Sequence, residues 1–353
     1  MAMDTKFLAT AIGSLPHPSA EKAVDIVLDK IPDCPVWPQL PKLGLREQME
    51  IQYSEALPCV EIDEAKGRMY FNTADEDRNA TEMAAFYEKY MAAQESDNWS
   101  AFAISNAFSK GIYALEHELA RRGLHTPWLK VQTTGPLSIG LSIVDENKRA
   151  IYYNEAFRDC IVKGLAAKCR WQIEKFKEFT DDIICFIDEP ILSAFGSSTY
   201  VSVQRDEVVA AVAEVAEAIH GAGALCGVHC CGNTEWPILI DAGVDIINFD
   251  AYGFGESMAL YAKEIDAFLK DDKIIAWGIV PTSDKVANES VGSLIAKYDE
   301  CVERLAAKGV DKQLIHRQSM LTPSCGTGSL SEVLAEKVFD TLNKVSKELK
   351  LRL

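Results

Sequence analysis

The sequence predicts an α/β protein built as a closed (β/α)8 TIM barrel with an N-terminal elaboration. Three observations carry this. Short β-branched or aromatic runs alternate with longer amphipathic stretches, the signature of a parallel sheet with crossover helices. About eight such units fit into the 353 residues, with no linker to divide them, so the whole chain 1–353 reads as one barrel domain. The residues with chemical potential, Ser14, Asp188, His229, Asp250 and Cys325, fall at the carboxyl ends of different runs, where a barrel builds its active site. No Gly-x-Gly-x-x-Gly follows the first run, which argues against an open dinucleotide-binding sheet.

The expected strands are Leu8–Ser14, Ala101–Ser105, Trp128–Thr134, Ile183–Asp188, Ala224–Val228, Asp245–Phe249, Lys273–Ile279 and Gln318–Thr322. Helices fill the intervals, the first capped by Ser19. Between residues 32 and 97 the pattern is irregular. Trp37-Pro38-Gln39-Leu40-Pro41 is too rich in proline for a central strand. Val60–Phe71 reads as a hairpin, and Thr81–Gln94 as a helix.

The bulk properties narrow the function. A formal charge of -17 argues against nucleic acid or an anionic membrane as partner. No apolar run reaches the ~20 residues of a membrane span, and residues 1–7 lack the pattern of a signal peptide. A cytoplasmic location is therefore expected. The ten cysteines are then free or metal-bound rather than paired in disulfides.

Gly227-Val228-His229-Cys230-Cys231-Gly232-Asn233 is the densest stretch. Side chains two apart on a strand share a face. His229 and Cys231 thus present an imidazole and a thiolate together, and Cys230 points away. Cys325, in Thr322-Pro323-Ser324-Cys325-Gly326, and Asp250 complete a nitrogen, sulfur and oxygen set suited to Zn²⁺. Ligands on separate strand ends suit a catalytic site, where an exchangeable position receives a thiol and lowers its pKa. Asp188-Glu189-Pro190 puts two carboxylates at a strand end, costly to bury without a cation such as a substrate ammonium; helix capping is the alternative reading. Ile12-Gly13-Ser14 offers close backbone approach and a hydroxyl donor for a carboxylate.

Taken together these segments resemble the catalytic half of cobalamin-independent methionine synthase, and more closely the short core methionine synthases. The wider set includes the zinc methyltransferases of methanogens and uroporphyrinogen decarboxylase. The resemblance runs over nearly the whole chain, and Trp37–Pro41 with Gln52-Tyr53-Ser54-Glu55 is similar to the core forms in particular. It implies a Zn²⁺ cofactor on His229, Cys231 and Cys325, with Asp250 in the place of the family's glutamate ligand. It further implies homocysteine as substrate, bound by Ile12, Gly13, Ser14, Asp188 and Glu189, with Asp188 on the amine.

Two departures bear on the mechanism. Asp250 is one methylene shorter than the family's glutamate. The segment Trp277–Ser283 holds no histidine where the long enzymes carry a proposed acid. Either Thr282 or water substitutes, or the donor needs no proton. A methylated corrinoid, carried on a separate corrinoid protein, satisfies the second option better than methyltetrahydrofolate. The competing readings are methyl transfer to another thiol such as coenzyme M, uroporphyrinogen decarboxylation, and a non-catalytic barrel that binds zinc or a corrinoid protein.

Overall fold

The computed structural model describes residues 5–197, 200 and 202–352. Its strands are β1 (Leu8–Ala9), β2 (Val60–Asp63), β3 (Arg68–Phe71), β4 (Thr126–Thr134), β5 (Thr180–Asp188), β6 (Leu225–Cys230), β7 (Ile246–Phe249), β8 (Ile274–Val280) and β9 (Ser319–Pro323). Seven of them form one parallel sheet in the order β1-β9-β8-β7-β6-β5-β4, and β2 and β3 make the expected antiparallel hairpin apart from it. The sheet is curled and surrounded by helices. All seven residues of β8 are buried, as a strand covered on both faces requires.

The helices follow their sequence signals. In Ala20–Lys30 the buried residues are Ala20, Ala23, Val24, Val27 and Leu28, one stripe at helical spacing. Ser19 caps this helix by accepting from Lys22 N, and Ser290 forms a capping box with Ser293 at the start of Val291–Ala306.

The backbone pairing gives seven strands where eight were expected. Ala101–Ser105 is not a strand: it overlaps the 3-10 turn Ser100–Phe102, and Phe102 is buried edge-on against Phe86 at 5.6 Å. The interval between the edge strands β1 and β4 is instead taken by residues 33–39. Asp33 O and Pro35 O accept from Trp128 N and Lys130 N at 3.0 and 2.8 Å. On the other side Gln39 N donates to Gly13 O at 3.0 Å, and Leu15 N donates to Gln39 O at 2.9 Å. Only the single bridges Val36↔Lys130 and Ser14↔Gln39 result, because Pro35 and Pro38 have no N–H for a ladder. β1 likewise stops at Ala9, short of the expected Ser14.

Inside the curl a separate apolar cluster contains Leu8, Trp128, Ile184, Phe186, Ile246, Ala276 and Met320. Period-two alternation puts Asp188, His229 and Asn248 on this same inner face, one or more steps toward the carboxyl ends. Gly227 makes the packing possible. A Cβ there would lie 2.3 Å from the Phe186 ring.

Candidate metal and amino-acid site

The parallel register aligns the site. Asp188 pairs with His229, and His229 with Asn248, so three polar residues stand side by side on β5, β6 and β7. All three are at least 97% buried. Cys231 follows β6, and Cys325 follows β9. The ligand atoms of His229, Cys231 and Cys325 lie within 4.8 Å of one another. Among the described residues no other cluster of three such groups has this spacing.

The imidazole is oriented by Asn248, which sequence reasoning did not single out. Asn248 Nδ2 donates to Ala276 O at 2.8 Å and to Thr322 Oγ1 at 2.7 Å. Its Oδ1 must then face His229 Nδ1, 2.5 Å away. An amide oxygen only accepts, so the imidazole proton sits on Nδ1, and Nε2 carries a bare lone pair. Nε2 is buried with no hydrogen-bond partner, the state of an imidazole poised to ligate. The signal was an asparagine within the apolar run Ile246-Ile247-Asn248-Phe249.

The two thiols favour a thiolate. Cys231 is held far below the usual thiol range, foremost by the neighbouring Cys325 thiol. Cys325 is pushed up in turn by Cys231 and by burial. One imidazole nitrogen and two sulfurs converging on one point fit a thiophilic or borderline metal ion.

Asp250 stands apart from this trio. Its Oδ1 accepts from Gly253 N at 2.7 Å and caps the short helix Ala251–Phe254. Burial raises its pKa, and the nearby Cys231 adds to the rise.

Asp188 and Glu189 have different environments. Asp188 is 3% exposed, its Oδ1 has no partner, and burial pushes its pKa up to about 6. It faces a cavity of about 500 Å³ shared with His229, Cys231, Cys325, Ile12 and Ser14. Glu189 does not line that cavity. Its carboxylate accepts from Leu137 N, Ser138 N and Ser138 Oγ at 2.7–3.0 Å, so it anchors the helix Pro136–Ser142 from the neighbouring strand. The expectation of a substrate contact for Glu189 meets a side chain whose oxygens are already engaged.

The Ile12–Ser14 segment is built as a tight support. Gly13 has φ +145°, and a Cβ there would come within 2.9 Å of Gln132 Nε2. Gly13 is thus a backbone requirement rather than a cavity-lining residue. Ile12 O accepts from the buried Lys130 Nζ at 2.7 Å. Ser14 Oγ accepts from Gly328 N at 3.1 Å, which leaves its own proton free for an anion in the cavity.

No protein-family model matches the chain, and no curated protein matches it. Among solved structures it is similar to a methyltransferase from Methanosarcina mazei, with 13% identity over 96% of this chain and 94% of that chain and a TM-score of 0.53. A modular endo-beta-1,4-mannanase from Cellulomonas fimi aligns over 64% of each chain at 12% identity with a TM-score of 0.29, too low to bear on the argument. No helix among the described residues is long and apolar enough to cross a membrane. At 13% identity the likeness is one of fold: the chain shares the architecture of a methyltransferase.

Proposed function

We propose that the protein is a zinc-dependent methyltransferase that moves a methyl group to the sulfur of homocysteine, giving methionine. The observation that supports this best is the row Asp188–His229 with the cysteine pair beside it. A three-donor metal site and an unpartnered buried carboxylate open into one cavity. A metal site alone would suit many reactions. The adjacent acceptor for a cation selects a thiol that carries an ammonium.

His229 Nε2, Cys231 and Cys325 would hold the zinc, which when bound supplies the Lewis acidity that keeps an acceptor thiol ionised at neutral pH. The chain's own residues do the positioning. Asp188 Oδ1 takes the ammonium, and the Ser14 hydroxyl donates to the carboxylate. Two fixed points on the amino-acid end leave the sulfur little freedom, so its lone pair meets the methyl carbon in line. Asp250 Oδ1 is engaged by Gly253 N, and Asp250 is not among the three groups whose ligand atoms converge.

The structural likeness to a methyltransferase agrees with this reading at the level of fold. Coenzyme M fits less well, since its sulfonate offers Asp188 no ammonium. Uroporphyrinogen carries many carboxylates, whereas Lys42 is the one cationic side chain on the cavity wall among the described residues.

The test is turnover of homocysteine by zinc-loaded protein, offered methylcobalamin and methyltetrahydrofolate separately. X-ray absorption should show one added sulfur around zinc when homocysteine binds. No added sulfur and no methionine with either donor would refute the proposal.

A further inference from the structure

The barrel interior holds a cation that the scheme above does not use. Lys130 is wholly buried and does not line the cavity. Its register partner Ile184 belongs to the inner apolar cluster, so the Lys130 side chain lies on the inner face of β4. Nζ donates to Ile12 O at 2.7 Å and to Gln132 Oε1 at 3.4 Å, and it stands 4.5 Å from the centre of the Phe186 ring. All three partners are neutral. A buried charge with neutral partners is costly to keep, and an uncharged donor would satisfy a carbonyl equally well. The charge therefore points to a use beyond closing one hydrogen bond.

Both sides of the amino-acid site meet at this ammonium. On one side β1 ends at Ala9, so Ile12, Gly13 and Ser14 run on past the ladder. Gly13 O is tied by Gln39 N, and Ser14 O by Thr327 N. Ile12 O has no backbone donor among the described residues, and Lys130 Nζ takes it from 118 positions along the chain. Gln132 supports the same segment: its Nε2 donates to Trp37 O at 3.0 Å, which turns Oε1 toward the ammonium. On the other side Phe186 precedes Asp188 by two residues on the same face of β5. Lys130 thus stands between the Ile12–Ser14 segment and the strand that ends in Asp188. Burial lowers its pKa to about 8, and Asp188, ahead of Cys185 and Cys34, opposes the fall. The side chain is therefore an ammonium at neutral pH.

We propose that Lys130 is a positioning residue for the amino-acid end of the acceptor: it ties the Ile12–Ser14 segment to the barrel interior and supplies the positive charge that a bound zwitterion needs beneath it. This rests on the thiol-methyltransferase reading. Lys130 touches neither substrate nor metal and acts through Ile12 O and through its charge. The ammonium of a bound amino acid is matched by Asp188, whereas its carboxylate meets only the neutral Ser14 hydroxyl. With Lys130 below, the buried set of substrate ammonium, substrate carboxylate, Asp188 and Lys130 is neutral. Without Lys130 the set keeps one negative charge unmatched, which a desolvated site disfavours. The same count distinguishes ligands. A thiol that carries the ammonium and lacks the carboxylate pairs with Asp188 and has no need of Lys130.

Lys130→Met keeps the length of the side chain and removes its charge and its donor. Calorimetry of the zinc-loaded protein reads the affinity for L-homocysteine and for 3-aminopropane-1-thiol, which is homocysteine without its carboxylate. The variant should bind homocysteine about tenfold or more weakly, bind the aminothiol at least as tightly as wild type does, and keep its zinc by metal analysis. Lys130→Arg, which retains a cation, should recover part of the preference for homocysteine. Lys130→Gln carries the same expectation as Lys130→Met where the latter does not fold. An equal loss of affinity for both thiols would show a structural role and overturn the proposal, as would an undiminished affinity for homocysteine. A wild-type protein that binds the aminothiol as tightly as homocysteine would overturn it and leave the thiol-methyltransferase reading standing. Binding of neither thiol by wild type would sink both.

Discussion

Asn248 offers the sharpest separation of metal affinity from stability. Replacing it by leucine removes the acceptor for the His229 Nδ1 proton and the donor to Ala276 O and Thr322 Oγ1. The imidazole then loses both its fixed tautomer and its orientation. Loss of such an outer partner typically costs 10–100-fold in metal affinity, about 1.4–2.7 kcal/mol. The stranded carbonyl and ring N–H also cost the fold about 1–3 kcal/mol. Asn248→Asp should part the two effects. A carboxylate still accepts from Nδ1–H, and more strongly, but cannot donate to Ala276 O. Zinc affinity should then match or exceed wild type while the metal-free protein is destabilised. Competition against a chromophoric chelator reads the first quantity, and urea unfolding of the metal-free protein the second. A folded Asn248→Leu protein that binds zinc as tightly as wild type would refute the assigned tautomer and with it the ligand geometry.

Three further outcomes follow from the same structure. Asp188→Asn should raise KM for homocysteine at least tenfold, with zinc content by metal analysis unaltered; a wild-type KM would remove Asp188 from the amine. Glu189→Ala strands two backbone N–H groups and the Ser138 hydroxyl and should cost about 3 kcal/mol or more in urea unfolding, at roughly 1–3 kcal/mol per buried unpaired group; a loss under 1 kcal/mol would deny its anchoring role. The buried Lys168, whose ammonium donates to Glu55 O and Phe102 O, has its pKa lowered to about 8 by burial. Its folded pKa lies below the unfolded value near 10.5, so the unfolded state binds more protons between about pH 8 and 10.5. The penalty is full below pH 8, about 3 kcal/mol, and fades as pH rises. Wild-type stability relative to Lys168→Met should therefore climb by about 1.4 kcal/mol per unit between pH 8.5 and 10, and a flat difference would show that the ammonium is not desolvated.

Much of the sheet was legible because buried parallel strands are written as apolar runs, and β4 to β9 each fall on one. Two segments were not. Ala101–Ser105 is a short apolar run like a strand, but its buried Phe102 packs edge-on against Phe86 and the segment makes no strand pairing. Residues 33–39 occupy a position between β1 and β4 that their prolines deny to any regular ladder, and only the folded chain shows it. In the site, His229, Cys231 and Cys325 were legible from residue type and strand-end placement, although the last lies far along the chain. Glu189 was ambiguous, since an acid after a strand serves equally as a substrate contact or as a helix anchor. What separated the two adjacent carboxylates was the surroundings of each: Glu189 meets three donors, whereas Asp188 Oδ1 meets none.

The same distinction explains why Asn248 escaped a reading of the chain. It belongs to no spaced motif, and its role is set by the direction of amide hydrogen bonds that begin elsewhere. A backbone carbonyl can only accept, so Ala276 O fixes Asn248. From that anchor the direction propagates one side chain further, to His229 Nδ1, and leaves Nε2 as the nitrogen without a partner. Reversing the amide would pair donor with donor or acceptor with acceptor in a buried site, at a cost of about 1–3 kcal/mol per mismatched group. The orientation of the imidazole is thus set at a carbonyl on β8 that lies outside the cavity lining. A substitution that displaces the main chain at Ala276 should therefore change metal affinity without touching a ligand.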